Sequence, residues 1–195
     1  MRLLLPLCLA VVLGAAETPE ALVRRVALAA QQVAAMRFTF VQEKHLAMLA
    51  EPLRSGGVIE IDRLHGRLRW QYEAGPVIIL SEGRVRRWGA DGVAESAAGQ
   101  AAQGLAAQLQ AMATGDWAAL RELFELSAGE AEGQLILRPK GAGMARFITS
   151  LRLSFRADGS PATMRLEAHG GDVTDYSFAP PDLAWSPDPA RFAGP

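Results

Sequence analysis

The side chains that most often carry catalysis or hold metals show no recognisable arrangement in this chain. The three histidines, His45, His65 and His169, have neither a second histidine nor a carboxylate at the spacing of a zinc site. There is no Gly-x-Ser-x-Gly nucleophile motif. Glu130 and Glu132 lie in a polar stretch with glycines, where solvated surface charge is the usual explanation. The sequence therefore predicts neither an enzyme nor a metal site, and it indicates no cofactor.

The first residues have the composition of a secretory signal peptide. Arg2 is followed by an apolar stretch that ends in Gly14-Ala15-Ala16, which predicts cleavage after Ala16 and export to the periplasm. The alternative is a buried N-terminal helix. Residues 17–195 then form one domain, with no cysteine because Cys8 lies in the signal. This mature part has 19 basic and 21 acidic residues, without the basic stripe that nucleic acid requires.

Two helical regions alternate with two groups of strands. Thr18-Pro19-Glu20 is typical of a helix start, and the helix is expected to continue to about Ala35. Apolar side chains then recur at every second position in about five strands between residues 36 and 88, and again in about five strands between residues 123 and 178. Residues 96–113 are uncharged and rich in Ala and Gln, with a second short helix expected around residues 116–120.

This order predicts an α+β fold with one antiparallel sheet, because the connections between strands are short. One face of the sheet is polar and the other is aromatic and aliphatic, as in the stretch MRFTFVQ at residues 36–42. The two helical regions supply only a narrow, Ala-rich cover for the apolar face. A strongly curved sheet would then enclose apolar space that the helices do not fill.

A series of short motifs, in order along the chain, resembles the periplasmic outer-membrane lipoprotein carrier family, the LolA-like proteins. The motifs are Phe40-Val41-Gln42, Pro52-Leu53-Arg54-Ser55-Gly56-Gly57, Leu68-Arg69-Trp70, Gly75-Pro76, Ser81-Glu82-Gly83 and Phe178-Ala179-Pro180-Pro181. The resemblance implies an incomplete, curved antiparallel β-barrel, a half-barrel, covered by an N-terminal helix and a central helical lid. It also implies a monomeric carrier that takes acyl chains of lipoproteins from an inner-membrane donor complex and delivers them to an outer-membrane acceptor.

The expected lipid-binding residues are the apolar side chains on one face of the strands. They are Phe38, Phe40, Ile59, Ile61, Leu68, Trp70, Tyr72, Phe147, Leu151, Leu153, Phe155, Met164 and Leu166. Leu105, Leu109 and Met112 are expected to form the lid. The resemblance further implies that an arginine at the entry to the third strand hydrogen-bonds the lid, and Arg63 is the matching position, within a residue or two.

Two features leave other interpretations open. Arg63 is followed by Leu64 where the family has proline, and the tail after Pro181 is short and Pro-rich. The cargo could therefore be another lipid or a glycolipid from a divergent branch of the family. The other interpretation is a non-catalytic periplasmic module whose sheet core is filled and which binds a protein partner.

Overall fold

The computed structural model describes residues 17–95, 111 and 114–194. The helices are α1 (Pro19–Gln31), α2 (Trp117–Leu123) and α3 (Ala142–Ala145). The strands are β1 (Ala35–His45), β2 (Leu53–Asp62), β3 (Arg67–Tyr72), β4 (Val77–Ser81), β5 (Arg84–Trp88), β6 (Ala94–Glu95), β7 (Phe124–Ala128), β8 (Gln134–Pro139), β9 (Ile148–Phe155), β10 (Pro161–Ala168) and β11 (Val173–Phe178). Short 3-10 helices span His169–Gly171 and Pro189–Phe192. In the described ranges no helix is long and apolar enough to cross a membrane.

The eleven strands of the described residues form one antiparallel sheet in the order β6-β5-β4-β3-β2-β1-β11-β10-β9-β8-β7. Each half of the chain folds as a series of hairpins, and the pairing of β1 with β11 joins the halves through Phe40 opposite Phe178. Because β6 and β7 stay at the two ends of this order, the sheet is an open half-barrel. The predicted fold class is confirmed.

Strand β1 shows why this sequence has an inner and an outer face. Met36, Phe38 and Phe40 are buried, whereas Arg37 and Thr39 between them are exposed. This alternation follows the two-residue period of a strand. Helix α1 covers the inner face with Leu22, Val23 and Val26, which belong to the same core, and its Ala30 is buried as well.

Helix α1 begins where the sequence predicts and ends earlier than expected. The Oγ1 atom of Thr18 accepts a hydrogen bond from the amide of Ala21 at 3.2 Å, and Pro19 is the first helical residue. The helix ends at Gln31 and not at Ala35, because Ala35 already pairs with Asp62 of β2. Tertiary pairing of the sheet therefore overrides the local helical pattern at the end of this helix.

The C-terminal tail, which the sequence shows only as short and Pro-rich, covers part of the outer face. Phe192 is 2% exposed and packs on Val77 and Ile79 of β4. Beneath the tail, the buried guanidinium of Arg69 donates hydrogen bonds to the carbonyls of Arg191 (2.8 Å) and Gly194 (2.7 Å). The tail thus gives the charged Arg69 the partners that a buried cation requires.

Candidate functional site

An apolar cavity lies between the inner face of the sheet and helices α1 and α2. Its walls come from strands of both halves of the chain, from β1 and β2 as well as β8, β9, β10 and β11. One small cavity can touch all these strands only if the sheet curves around it. The cavity volume is about 110 Å³, which is roughly ten times the ~10–15 Å³ that holds one water molecule.

The lining of this cavity is almost entirely hydrocarbon. It consists of Val26, Ala29, Ala30, Val33, Met36, Phe38, Ile61, Arg63, Ala111, Gly115, Trp117, Leu120, Leu137, Leu151, Leu153, Phe155, Asp158, Gly159, Ser160, Pro161, Met164, Phe178, Pro181 and Leu183. The polar members, among them Arg63 and Asp158, come from turns at one end of the barrel. We call this polar end the mouth of the cavity. An apolar interior with polar groups at one end suits a ligand with a long apolar portion.

Arg63 lies at the mouth, in the turn that follows β2, and lines the cavity. Its amide donates a hydrogen bond to the carbonyl of Ala34 at 2.9 Å, which fixes the end of β2 next to the end of α1. A Cβ atom built on Gly115 would lie 3.4 Å from Nη1 of Arg63 and 3.0 Å from Cβ of Ala30. Burial lowers the pKa of Arg63 from its usual value. The guanidinium therefore sits directly beside the segment that leads into helix α2.

The β9–β10 hairpin closes the wall of the cavity beside helix α1. Gly159 has φ +80, and a Cβ atom there would lie 2.6 Å from Cβ of Ala29. Glycine permits both the left-handed conformation and this close approach. Nη1 of Arg25 donates to the carbonyl of Arg156 at 3.2 Å and so ties the helix to the hairpin.

The end of the barrel opposite the mouth is filled by an aromatic cluster of Phe40, Trp70, Tyr72 and Tyr176. The centroid of the Phe40 ring lies 5.6 Å from that of Trp70 and 5.1 Å from that of Tyr72, both edge-to-face. The ring centroids of Trp70 and Tyr176 are 5.4 Å apart. Such contacts between rings stabilise a packed core. This end of the inner face is therefore packed by aromatic rings, none of which lines the cavity.

Hydrogen bonds join the polar ends of this aromatic cluster. Ser55 Oγ donates to Gln42 Oε1 at 2.8 Å, and Gln42 Nε2 donates to Tyr176 Oη at 2.8 Å. The hydroxyl of Tyr72 lies 3.3 Å from that of Tyr176. Burial raises the pKa of Tyr176 and of Tyr72 above the usual tyrosine range, so both hydroxyls stay protonated at neutral pH.

The predicted lipid-binding residues divide between cavity and core. The cavity is lined by Phe38, Ile61, Leu151, Leu153, Phe155 and Met164. The remaining inward ones, Phe40, Ile59, Leu68, Trp70, Tyr72 and Leu166, are in the hydrophobic core or pack against it. The predicted lid residues Leu105, Leu109 and Met112 lie outside the described residues.

The placement of Phe147 on the inner face is wrong. Its side chain is 59% exposed and lies outside the cavity lining. Strand β9 begins at Ile148, and its pairing shifts by one residue because Glu167 opposes Ser150 while Ala168 opposes Ile148. This irregularity inserts an extra residue into β9 and reverses the alternation before Ser150. A bulge of this kind leaves no clear mark in the sequence.

Several lining residues were not predicted as part of a site. Val26 comes from α1, which the sequence indicated only as a cover, and Val33 comes from the segment between α1 and β1. Trp117 lines the cavity from the start of α2, with its ring 5.5 Å from that of Phe155. Leu183 comes from the tail, whose proline-rich sequence gave no periodic signal.

Comparison with known proteins places the fold among solved structures. No family model and no curated protein matches the sequence. A DUF1329 family protein from Desulfovibrio piger matches with a TM-score of 0.53 at 10% identity, over 89% of this chain and 96% of that chain. The two therefore share a fold.

Two further matches have lower TM-scores. One is a LolA superfamily protein from Nitrosomonas europaea, with a TM-score of 0.44 at 9% identity, over 88% of this chain and 96% of that chain. The other is a putative outer membrane lipoprotein-sorting protein domain from Vibrio parahaemolyticus, with a TM-score of 0.45 at 9% identity, over 89% and 97%. The printed name of the first of these includes LolA, the family that the sequence motifs resemble.

Proposed function

We propose that this protein is a non-enzymatic periplasmic carrier that holds the acyl chains of a lipoprotein or a related lipid in the apolar cavity. Residues 1–16 act as the cleaved signal peptide and residues 17–195 as the carrier domain. The carrier takes its cargo from a donor complex in the inner membrane and releases it to an acceptor at the outer membrane. Arg63 helps to hold the lid over the cavity.

The observation that carries this proposal is the apolar cavity shared by both halves of the sheet. Moving one CH₂ group of an acyl chain out of water is favourable by about 0.8 kcal/mol of free energy. A free acyl chain therefore does not cross an aqueous space unaided. A core packed to ordinary density offers no room for it. This cavity offers room without requiring the aromatic cluster to move, because the cluster fills the opposite end.

The second candidate is a protein-interaction module whose interior is simply its core. The packed rings of Phe40, Trp70 and Tyr176 favour this interpretation for one half of the barrel. The two candidates differ at the cavity, because a module has no use for internal space beside Leu153 and Met164.

A solvatochromic apolar dye and one pair of variants distinguish the candidates. Leu153 is half-buried and lines the cavity, whereas Val41 is 52% exposed on the outer face of β1. For a carrier, Leu153→Asp weakens dye binding at least about tenfold, since the contact of a buried aliphatic side chain is worth about 1.5–3 kcal/mol. Val41→Asp leaves dye binding unchanged, and both variants keep the circular dichroism spectrum of the wild type. A wild-type protein that does not bind the dye, or a Leu153→Asp variant that only unfolds, supports the module.

A further inference from the structure

Two turns of the sheet lie at the same end of the barrel as the cavity mouth. The turn at residues 63–66 joins β2 to β3, and Arg63 in this turn lines the cavity. The turn Glu82-Gly83 joins β4 to β5 at the same end, because Leu80 pairs with Leu68 near the start of β3 and Ser81 pairs with Arg84. We call this end of the barrel the mouth end.

Two large apolar side chains point into solvent at the mouth end. Leu64 is 77% exposed, and Leu183 is 56% exposed although it also lines the cavity. Both are held by ordered backbone. Asp182 exchanges backbone hydrogen bonds of 2.7 and 3.1 Å with Arg37, and the amide of Gly66 donates to the carbonyl of Arg63 at 3.2 Å. Leu64 and Leu183 therefore place exposed apolar side chains beside the cavity, on turns whose backbone is hydrogen-bonded.

A groove rich in arginine lies on the outer face at the same end. It is lined by Arg67, Ser81, Glu82, Arg84, Arg86, Pro189, Phe192 and Ala193, with a volume of about 390 Å³. We call it the arginine groove.

The tail fixes two of these guanidinium groups. Nη2 of Arg86 donates to the carbonyl of Phe192 at 3.1 Å, and Cζ of Arg67 lies 4.9 Å from the centre of the Phe192 ring. Arg67 also pairs with Asp62 through Nε at 3.0 Å. Arg84 is exposed and forms no ion pair with any residue in the described part of the chain. The groove thus presents a positive surplus, since Glu82 is the one carboxylate in its lining.

We propose that the mouth end docks on a bilayer that contains anionic phospholipid, with lipid phosphate in the arginine groove and Leu64 and Leu183 in the interface. This inference rests on the proposed carrier function and names the surface from which that carrier exchanges cargo. Guanidinium groups bind phosphate oxygens with paired, charge-assisted hydrogen bonds. Exposed leucines enter the boundary between headgroups and acyl chains. Docking in this orientation turns the cavity mouth toward the lipid, so an acyl chain moves between membrane and cavity with little exposure to water.

The test is co-sedimentation of the full mature protein with phosphatidylcholine vesicles, with and without phosphatidylglycerol. Binding is expected only with phosphatidylglycerol, and it weakens as salt is raised. Each basic residue near an anionic surface strengthens binding about fivefold, so Arg84→Glu, which changes the charge by two, weakens it about thirtyfold. The matched control is Arg146→Glu, an exposed arginine next to the start of β9 at the opposite end. Its effect is expected to be small.

A second pair of variants tests the apolar contact. Leu64→Ser reduces vesicle binding, whereas Met48→Ser does not, although Met48 is 86% exposed in the loop at the other end of β2. Equal losses for both variants would overturn the mouth-end geometry. Equal losses for Arg84→Glu and Arg146→Glu would also overturn it. So would binding of inorganic phosphate in the arginine groove by a protein that binds no vesicles.

Dye binding to the same samples separates this inference from the proposed function. A protein that binds the dye but no vesicles refutes docking and leaves the carrier intact. A protein that binds vesicles through Arg84 but takes up no dye supports docking and refutes the carrier. The Arg84→Glu variant is expected to keep full dye affinity, because Arg84 lies outside the cavity lining.

Discussion

The length of the acyl chain is the perturbation that tests the cavity most quantitatively. Each added CH₂ is expected to strengthen binding by about 0.8 kcal/mol, which is about fourfold in Kd. This increase continues until the chain fills the cavity and then stops, because further carbons stay in water. A series of fatty acids that displaces the solvatochromic dye gives the slope and the length at which it breaks.

A cavity-filling variant then ties the break to this structure. Leu153 lines the cavity from the middle of β9 and is half-buried, so Leu153→Trp can extend into the empty space. Tryptophan is larger than leucine by about six non-hydrogen atoms, so the break is expected at a chain about six carbons shorter. The outer-face control Val41→Trp leaves the break where it is. Affinities independent of chain length, or a break that Leu153→Trp does not move, would refute the assignment of this cavity as the acyl site.

Three further changes test how the structure is held together. Phe192→Ala is expected to lower the free energy of unfolding in urea by about 3 kcal/mol. This is the low end for a buried phenylalanine, because the tail can detach while the sheet stays folded. No change would mean that the tail does not stabilise the sheet. Gly159→Ala is expected to cost about 1–3 kcal/mol in the same assay, because φ is +80 and the new Cβ would lie 2.6 Å from a side chain of α1; a neutral result would contradict this close packing. Burial opposes the ionisation of Asp62, but hydrogen bonds from Arg67 and His65 outweigh it and lower its pKa. The contribution of Asp62 to stability, about 1.5–3 kcal/mol for hydrogen bonds to a charged group, is therefore full above its ordinary pKa of 3.8 and is lost as pH falls through the lowered value. Asp62→Asn should be less stable than wild type at pH 7 and equal to it in strong acid, and a difference that persists in acid would exclude the ionised carboxylate as its source.

The strands were predictable because one face of the sheet is buried. Met36, Phe38 and Phe40 alternate with exposed residues in the sequence and in the structure, since a register shift by one residue would move the whole set into water. The same logic placed Leu151, Leu153 and Met164 inside. The dipeptide Asp158-Gly159 is typical of tight hairpin turns, and the structure has it between β9 and β10.

The division of the inner face into cavity and core was not predictable from alternation. Phe38 and Phe40 have the same periodicity, yet Phe38 lines the cavity and Phe40 packs in the aromatic cluster. What separates them is the position of helix α1, whose later turns stand over one end of the barrel. The exposed position of Phe147 follows from an irregularity in strand pairing. The packing of Phe192 on β4 follows from contacts between residues that are far apart in sequence.

Native mass spectrometry of residues 17–195, purified without detergent, tests the central claim most directly. The carrier interpretation predicts a population heavier than the bare chain by the mass of an acyl-containing lipid. In Leu153→Trp this population falls and shifts toward shorter acyl chains, whereas in Val41→Trp it is unchanged. A protein that is found only at the mass of the bare chain, and that stays there after incubation with phospholipid or long-chain fatty acid, would contradict it.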